Sequence, residues 1–148
     1  MNITFKLATE KDIPTFIALE KSIGNLRTYS NMTDEKEAKD EFKKNIVHFI
    51  QYDDEIVGSV EYEIKGPDHA YISGLLVNPK FQGKGIGRET MKWLLKKLQN
   101  IKTIDLVTHP DNIVAVNLYK SLGFTIGKRI ENYFGDGEPR IILALEKK

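Results

Sequence analysis

The run from Ala70 to Asn100, AYISGLLVNPKFQGKGIGRETMKWLLKKLQN, constrains this chain more than any other. Ala70 to Val77 is apolar and favours extended backbone, and Asn78-Pro79 ends it, because proline lacks a ladder donor and restricts the residue before it. Met91, Leu94, Leu95 and Leu98 then form the i, i+3, i+4, i+7 stripe of a core-facing helix, with Lys92, Lys96, Lys97 and Gln99 pointing elsewhere. Between strand and helix lies Gln82-Gly83-Lys84-Gly85-Ile86-Gly87-Arg88. Alternate glycines let the backbone approach a ligand closely, and the helix start adds unpaired N–H donors and the positive end of its dipole. Lys84 and Arg88 bring formal charge to the same place. The pattern predicts a diphosphate seat, against the plainer reading of a loop that needs glycines only to turn.

Two familiar phosphate motifs do not fit. A Walker A loop needs Gly-Lys followed by Ser or Thr, which occurs nowhere in the chain. A dinucleotide fingerprint counted from Gly83 or Gly85 puts its third glycine on Arg88 or Thr90. What the letters do contain is Gln-x-x-Gly-x-Gly, at Gln82, Gly85 and Gly87.

At 148 residues the chain is long enough for one domain, read as 1–148, with a buried core. The absence of cysteine excludes disulfides, a thiolate nucleophile and cysteine metal sites, and no metal is expected. MNITFKLATEKD lacks the apolar centre of a signal peptide and no apolar run is long enough for a span, so a cytoplasmic protein without membrane association is expected. Residues 1–66 carry 9 Lys/Arg against 13 Asp/Glu, whereas 67–148 carry 13 against 8. The basic half suits a polyanionic cofactor and the acidic half a cationic substrate. Aromatics do not interleave with a basic stripe, so nucleic acid is not an expected partner.

The remaining elements are read in chain order. Ile3 to Leu7 reads as an edge strand. Asp12 caps a helix with Pro14 in its first turn, carrying Ile13, Phe16, Ile17, Leu19 and Ile23 and ending at Gly24. Asn25 to Met32 is a polar loop, and Thr33 is expected to cap a second helix whose Lys/Glu-rich surface reads as solvated. Ile46 to Tyr52 and Glu55 to Ile64 form a hairpin. On its second strand, period-2 alternation puts Ile56, Gly58, Val60, Tyr62 and Ile64 on one face and Val57, Ser59, Glu61 and Glu63 on the other. Thr103 to Thr108 is a strand, Pro110-Asp111-Asn112 opens a helix closed by Gly123, and Phe124 to Asn132 and Arg140 to Glu146 are the last strands.

The segment NIVAVNLYKSLGF, with Asn112, Ala115, Leu118, Tyr119, Gly123 and Phe124 at the marked positions, comes after Gln82-x-x-Gly85-x-Gly87 at a distinctive spacing. Together the two motifs resemble the GCN5-related N-acetyltransferases. The tail Asn132-Tyr133-Phe134-Gly135-Asp136-Gly137-Glu138 is similar to members that acetylate protein N-termini. The resemblance implies an α/β fold with a mixed, mostly antiparallel sheet of roughly six to seven strands and about four helices. It also implies an acetyl-CoA-dependent N-acetyltransferase, acting by direct transfer on a small-molecule or peptide amine, as a monomer or homodimer. The cofactor would lie on Leu75, Leu76, Val77, Gln82, Gly83, Lys84, Gly85, Ile86, Gly87, Arg88, Asn112 and Tyr119. Tyr119 would be the general acid toward the leaving thiolate. Its other reading is a helix tyrosine packed in the core. Acceptor-side positions, by the same analogy, are loop 25–32 with Tyr29, and Tyr71, Ser73, His109 and Tyr133.

The general base departs from the family pattern. The family's glutamate positions fall on Tyr71 or Ser73, or on Val107, none of them a carboxylate. Glu61, Glu63, His69, His109 and a water chain stay open for the role. A catalytically silent acyl-CoA-binding or sensing module is the alternative that this departure motivates.

Overall fold

The computed structural model describes residues 2–24, 29 and 32–147. These form seven strands and four α-helices in the order β1 (Ile3–Leu7), α1 (Ile13–Ser22), α2 (Glu35–Lys44), β2 (Ile46–Tyr52), β3 (Glu55–Gly66), β4 (His69–Val77), α3 (Ile86–Lys97), β5 (Thr103–Thr108), α4 (Ile113–Ser121), β6 (Thr125–Ile130) and β7 (Arg140–Glu146). The strands make one sheet in the order β1-β2-β3-β4-β5-β7-β6. Every neighbouring pair is antiparallel except β4 and β5. That parallel pair is joined through α3, as a parallel connection requires.

Helices cover both faces. Met91 and Leu94 of α3, Leu98 at its C-cap and Tyr119 of α4 pack on Val60, Tyr62, Ala70, Ile72, Ile104, Leu106 and Leu143. On the opposite face Ile13, Phe16 and Leu19 of α1 and Ala38 of α2 pack on Val47, Phe49 and Leu76. Helices α1 and α3 present the stripes that their periodicity predicts.

Register shifts interrupt the alternation at several points of the sheet, and two of them redirect side chains near the β4–β5 opening. Ile50 pairs with Gly58 and Gln51 with Ile56, leaving Val57 as an extra residue. Val57 therefore joins Ile50 and Ile86 on the α3 face, while Ile56 packs against the α1–α2 cluster. This exchanges the faces that simple alternation assigns to those two residues, because a bulge shifts the period by one. On β4, Glu61 pairs with Gly74 and Tyr62 with Ile72, so Ser73 is the extra residue. Beyond it Leu75 and Val77 turn to the α3 face and Leu76 to the other.

Two caps differ from the sequence reading. Asp34, not Thr33, caps α2, its carboxylate accepting the Glu37 N–H at 3.0 Å. Asp12 stands at the N-cap position of α1, but its carboxylate accepts the Thr9 N–H and closes the turn before the helix. The last hairpin opens earlier than expected, β6 ending at Ile130.

Candidate active site

Strands β4 and β5 pair only from His69–Thr103 to Ile72–Leu106. At the next residue the Ser73 bulge turns β4 away, and the two strands diverge. The opening is the mouth of a cavity of about 1160 Å³, walled by Ser73, Gly74, Leu75 and Val77 on one side and Val107, Thr108 and His109 on the other. Along Ser73 to Val77 the β5 side of the strand has no strand partner among the described residues, which leaves backbone groups there, other than the Val77 carbonyl that Gln82 takes, open to a ligand.

One end of the cavity is built from backbone. Gln82, Gly83, Gly85, Ile86, Gly87 and Arg88 line it. Gly83 and Gly85 have φ of +80° and +81°, conformations in which a side chain is strained, and nothing in the protein lies within 4 Å of where their Cβ atoms would stand. That open space faces the first turn of α3, whose N–H groups lack intrahelical partners. A diphosphate fits this donor set in charge and shape. Gln82 ties the loop to β4 through a 3.0 Å hydrogen bond to the Val77 carbonyl, and Arg88 donates to Ser121 Oγ of α4 at 3.0 Å. Asn112 caps α4, accepting the Ala115 N–H, and also lines the cavity. The ring of Tyr119 is core, packed by Phe124, and the residue is also part of the cavity wall. Burial pushes its phenol up to about 12, so it stays protonated through the neutral range.

The other end is built from side chains. Glu20 of α1, Glu41 of α2 and Glu61 of β3 converge there with Tyr29, Ser73 and Gly74. Glu20 and Glu61 are each only 3% exposed. Ser59 Oγ donates to Glu61 Oε1 at 2.8 Å, and Glu61 Oε2 lies where a Cβ on Gly74 would stand. Only glycine at position 74 leaves room for this carboxylate. Tyr29 Oη and the Met32 N–H donate to the two oxygens of Glu20, and Ser73 Oγ lies 3.2 Å from Glu41 Oε2 and 2.7 Å from Asn45 Oδ1. Desolvation, then repulsion from Glu20, raises Glu61 to about 8. Desolvation raises Glu20 to about 7, and Glu41 is raised from the same first cause.

Of the other candidate bases, Glu63 faces Lys44 at 3.9 Å and His69 pairs with Asp105 at 2.9 Å, neither in the cavity wall. His109 is in the wall and 1% exposed, but both ring nitrogens are engaged. Its Nδ1 accepts the Asp111 N–H, so Nε2 carries the proton toward Glu138 Oε1 at 2.8 Å. Among the bases named from the sequence, Glu61 combines burial, a raised pKa and a place in the cavity wall, properties that it shares with Glu20.

Leu76, Lys84, Tyr71 and Tyr133 are not brought into the cavity wall. Leu76 turns into the α1–α2 core because of the bulge, and Tyr71, also on β4, lies beneath Lys65 Nζ at 5.2 Å. Tyr133 packs edge-on against Phe134, which does line the cavity beside Arg140. Loop positions 25–28, 30 and 31 lie outside the described residues. Glu20 and Glu41 went unsingled by sequence reasoning, and Glu41 corrects the reading of α2 as a wholly solvated surface. A signal existed: Ile13, Phe16, Ile17 and Glu20, like Ala38, Glu41, Phe42 and Asn45, occupy i, i+3, i+4, i+7 positions, so each carboxylate interrupts a buried stripe.

Residues 15–124 match the model of the Acetyltransferase (GNAT) family. Over 83 residues the chain is 35% identical to [Ribosomal protein bS18]-alanine N-acetyltransferase from Escherichia coli (strain K12), and over 79 residues 34% identical to streptothricin acetyltransferase from Escherichia coli. These alignments cover 53% and 51% of the chain and 56% and 44% of the relatives, so the chain spans about half the length of the curated relatives it matches. Across 98% of the chain and 94% of the other, the fold superposes on the ribosomal-protein-S18-alanine N-acetyltransferase from Escherichia coli with a TM-score of 0.81 at 23% identity. A GNAT family acetyltransferase from Elizabethkingia anophelis, solved with acetyl-CoA bound, matches with a TM-score of 0.75 at 20% identity over 99% of both chains. The family model spans most of the chain, and the chain belongs to the GNAT family of acetyltransferases.

Proposed function

We propose that this protein is an acetyl-CoA-dependent N-acetyltransferase, a single domain acting in the cytoplasm, that transfers acetyl directly to a primary amine in a ternary complex. The observation that carries the reading is the cavity at the β4–β5 split, with a diphosphate seat at one end and a buried carboxylate, Glu61, at the other. Acetyl-CoA, when bound, supplies an acyl group activated as a thioester.

An amine in water is an ammonium and cannot attack. Glu61, with a pKa raised to about 8, takes a proton from it in its ionised form, a form that grows as pH rises toward 8. Backbone N–H groups of Leu75 and Val77, on the side of β4 that β5 leaves open, face the carbonyl oxygen as it gains negative charge. Tyr119, kept protonated by burial, donates to the sulfur as the carbon–sulfur bond breaks. As the amide forms, the nitrogen's second proton passes through water to the Tyr119 phenolate and restores the phenol, the sulfur ends protonated as the free thiol, and Glu61 returns the first proton to solvent. Family likeness to a protein alanine acetyltransferase and to streptothricin acetyltransferase supports an amine acceptor.

Thiol release from acetyl-CoA across an amine panel tests the reading. The wild type is expected to release thiol well above the amine-free background. No release with any amine, from protein that binds acetyl-CoA, would instead identify a silent binding module.

A further inference from the structure

A glutamate side chain has several rotatable bonds, and proton transfer needs its carboxyl in one place. Resting on the transferase reading above, we infer that Ser59 and Gly74 are positioning residues for the reaction: Ser59 anchors one oxygen of Glu61, and Gly74 clears the space into which the carboxyl leans across β4.

The register of the sheet carries the geometry. Ser59 and Glu61 are two apart on β3 and share a face, where they pair with Leu76 and Gly74 of β4. Any side chain opposite Glu61 would begin with a Cβ in the path of the carboxyl, and position 74 has none. Glu61 Oε2 occupies that vacated place, and its Cδ lies 3.2 Å from it. The side chain therefore lies across β4 and ends over the stretch that β5 leaves unpaired.

Ser59 fixes the other half of the carboxyl. It is fully buried, and its hydroxyl donates to Oε1 at 2.8 Å. Alanine would fill the same core position without the cost of burying a hydroxyl, so the bond to Glu61 accounts for the serine. With Oε1 accepting the Ser59 proton, Oε2 is the oxygen left to take the proton of the amine. Glu20 of α1, Tyr29 and Glu41 of α2 face the same carboxyl, with Lys44 acting on Glu41. All of them are retained in variants at 59 and 74, so a difference between those variants and the wild type reports on Ser59 and Gly74.

Two measurements test the inference. Carboxyl-carbon NMR of glutamate-labelled protein follows Glu61, whose signal is identified by its loss in Glu61→Gln. A hydrogen bond to the charged form favours that form, so Ser59→Ala is expected to move the Glu61 titration midpoint upward by about one pH unit, and the midpoint of kcat/KM with it. Gly74→Ala, which pushes the carboxyl off Ser59, should shift the NMR midpoint the same way. An unmoved or lowered midpoint in either variant would overturn the role of that residue. The second measurement is a double-mutant cycle. Gly74→Ala is expected to lower kcat by ~10²-fold in the wild type but by less than threefold in Glu61→Gln, because it acts through a carboxyl that is no longer there to serve as base. Equal losses in the two backgrounds would overturn the positioning role of Gly74. If no amine is acetylated, the transferase reading falls alone, and the NMR midpoints still decide whether Ser59 and Gly74 hold the carboxyl.

Discussion

The two ends of the cavity are made of different material. The glycine-loop end consists of backbone: Gly83 and Gly85 at positive φ, the first turn of α3, and the stretch of β4 that β5 leaves unpaired. The acceptor end consists of side chains from four separate elements, Glu20, Glu41, Glu61 and Ser73, packed around one glycine. A backbone site recognises what all its ligands share, here a diphosphate and an extended arm. A side-chain site can be retuned without touching the sheet, so the same fold can take different amines.

That contrast can be broken or sharpened by substitution. The largest effect is expected from Glu61→Gln, which keeps the Ser59 hydrogen bond but cannot take a proton. Its kcat should fall by about 10³-fold, read by thiol release, with acetyl-CoA affinity changed less than threefold. Tyr119→Phe should lower kcat by ~10²-fold, again with little change in acetyl-CoA affinity; an unchanged rate would remove Tyr119 from the mechanism. At the backbone end the split should invert. Gly85→Ala places a side chain at φ +81° and should weaken acetyl-CoA by about tenfold in calorimetry, with a smaller effect on kcat at saturation.

Proton linkage gives a prediction of intermediate size. Glu61 titrates at about 8 in the fold against the ordinary glutamate value of 4.5, so between those values the native state holds more proton than the unfolded chain. Stability should then fall as pH rises through that window. Tm of the ligand-free protein should drop by several degrees from about pH 5 to pH 8, at about 2–4 °C for each kcal/mol, and Glu61→Gln should flatten the slope. Activity should run the other way, kcat/KM rising with pH until Glu61 is deprotonated near 8. The smallest expected effect lies outside the cavity. Asp34→Ala should cost about 1 kcal/mol in chemical unfolding by removing the α2 cap, whereas Thr33→Ala should be close to neutral.

Legibility in the sequence divides along the same line. Backbone sites announce themselves locally, because glycine at a forced φ and a helix start are neighbours in the chain. The loop at 82–88 and the α4 motif from Asn112 were therefore readable, as were β2 and β5 to the residue. The acceptor end was not, because Glu20, Glu41 and Glu61 are far apart in sequence and meet only through the sheet. Tyr71 and Leu76 show the mechanism of the misses. Both were named by likeness to the family, and that likeness carries no account of the extra residue at Ser73, which alters which β4 side chains reach the opening. The clues were negative ones: Gly74 inside an apolar strand, and charged residues on buried helix stripes.

The most direct test of the two-ended site is calorimetric titration of wild type and Glu61→Gln with acetyl-CoA, with ATP and NADH as controls. A site divided in this way should bind acetyl-CoA alone, at micromolar affinity, equally within threefold in the two proteins. Absence of heat with acetyl-CoA, or equal binding of ATP or NADH, would contradict it, reducing the loop at 82–88 to a turn or to a general nucleotide seat.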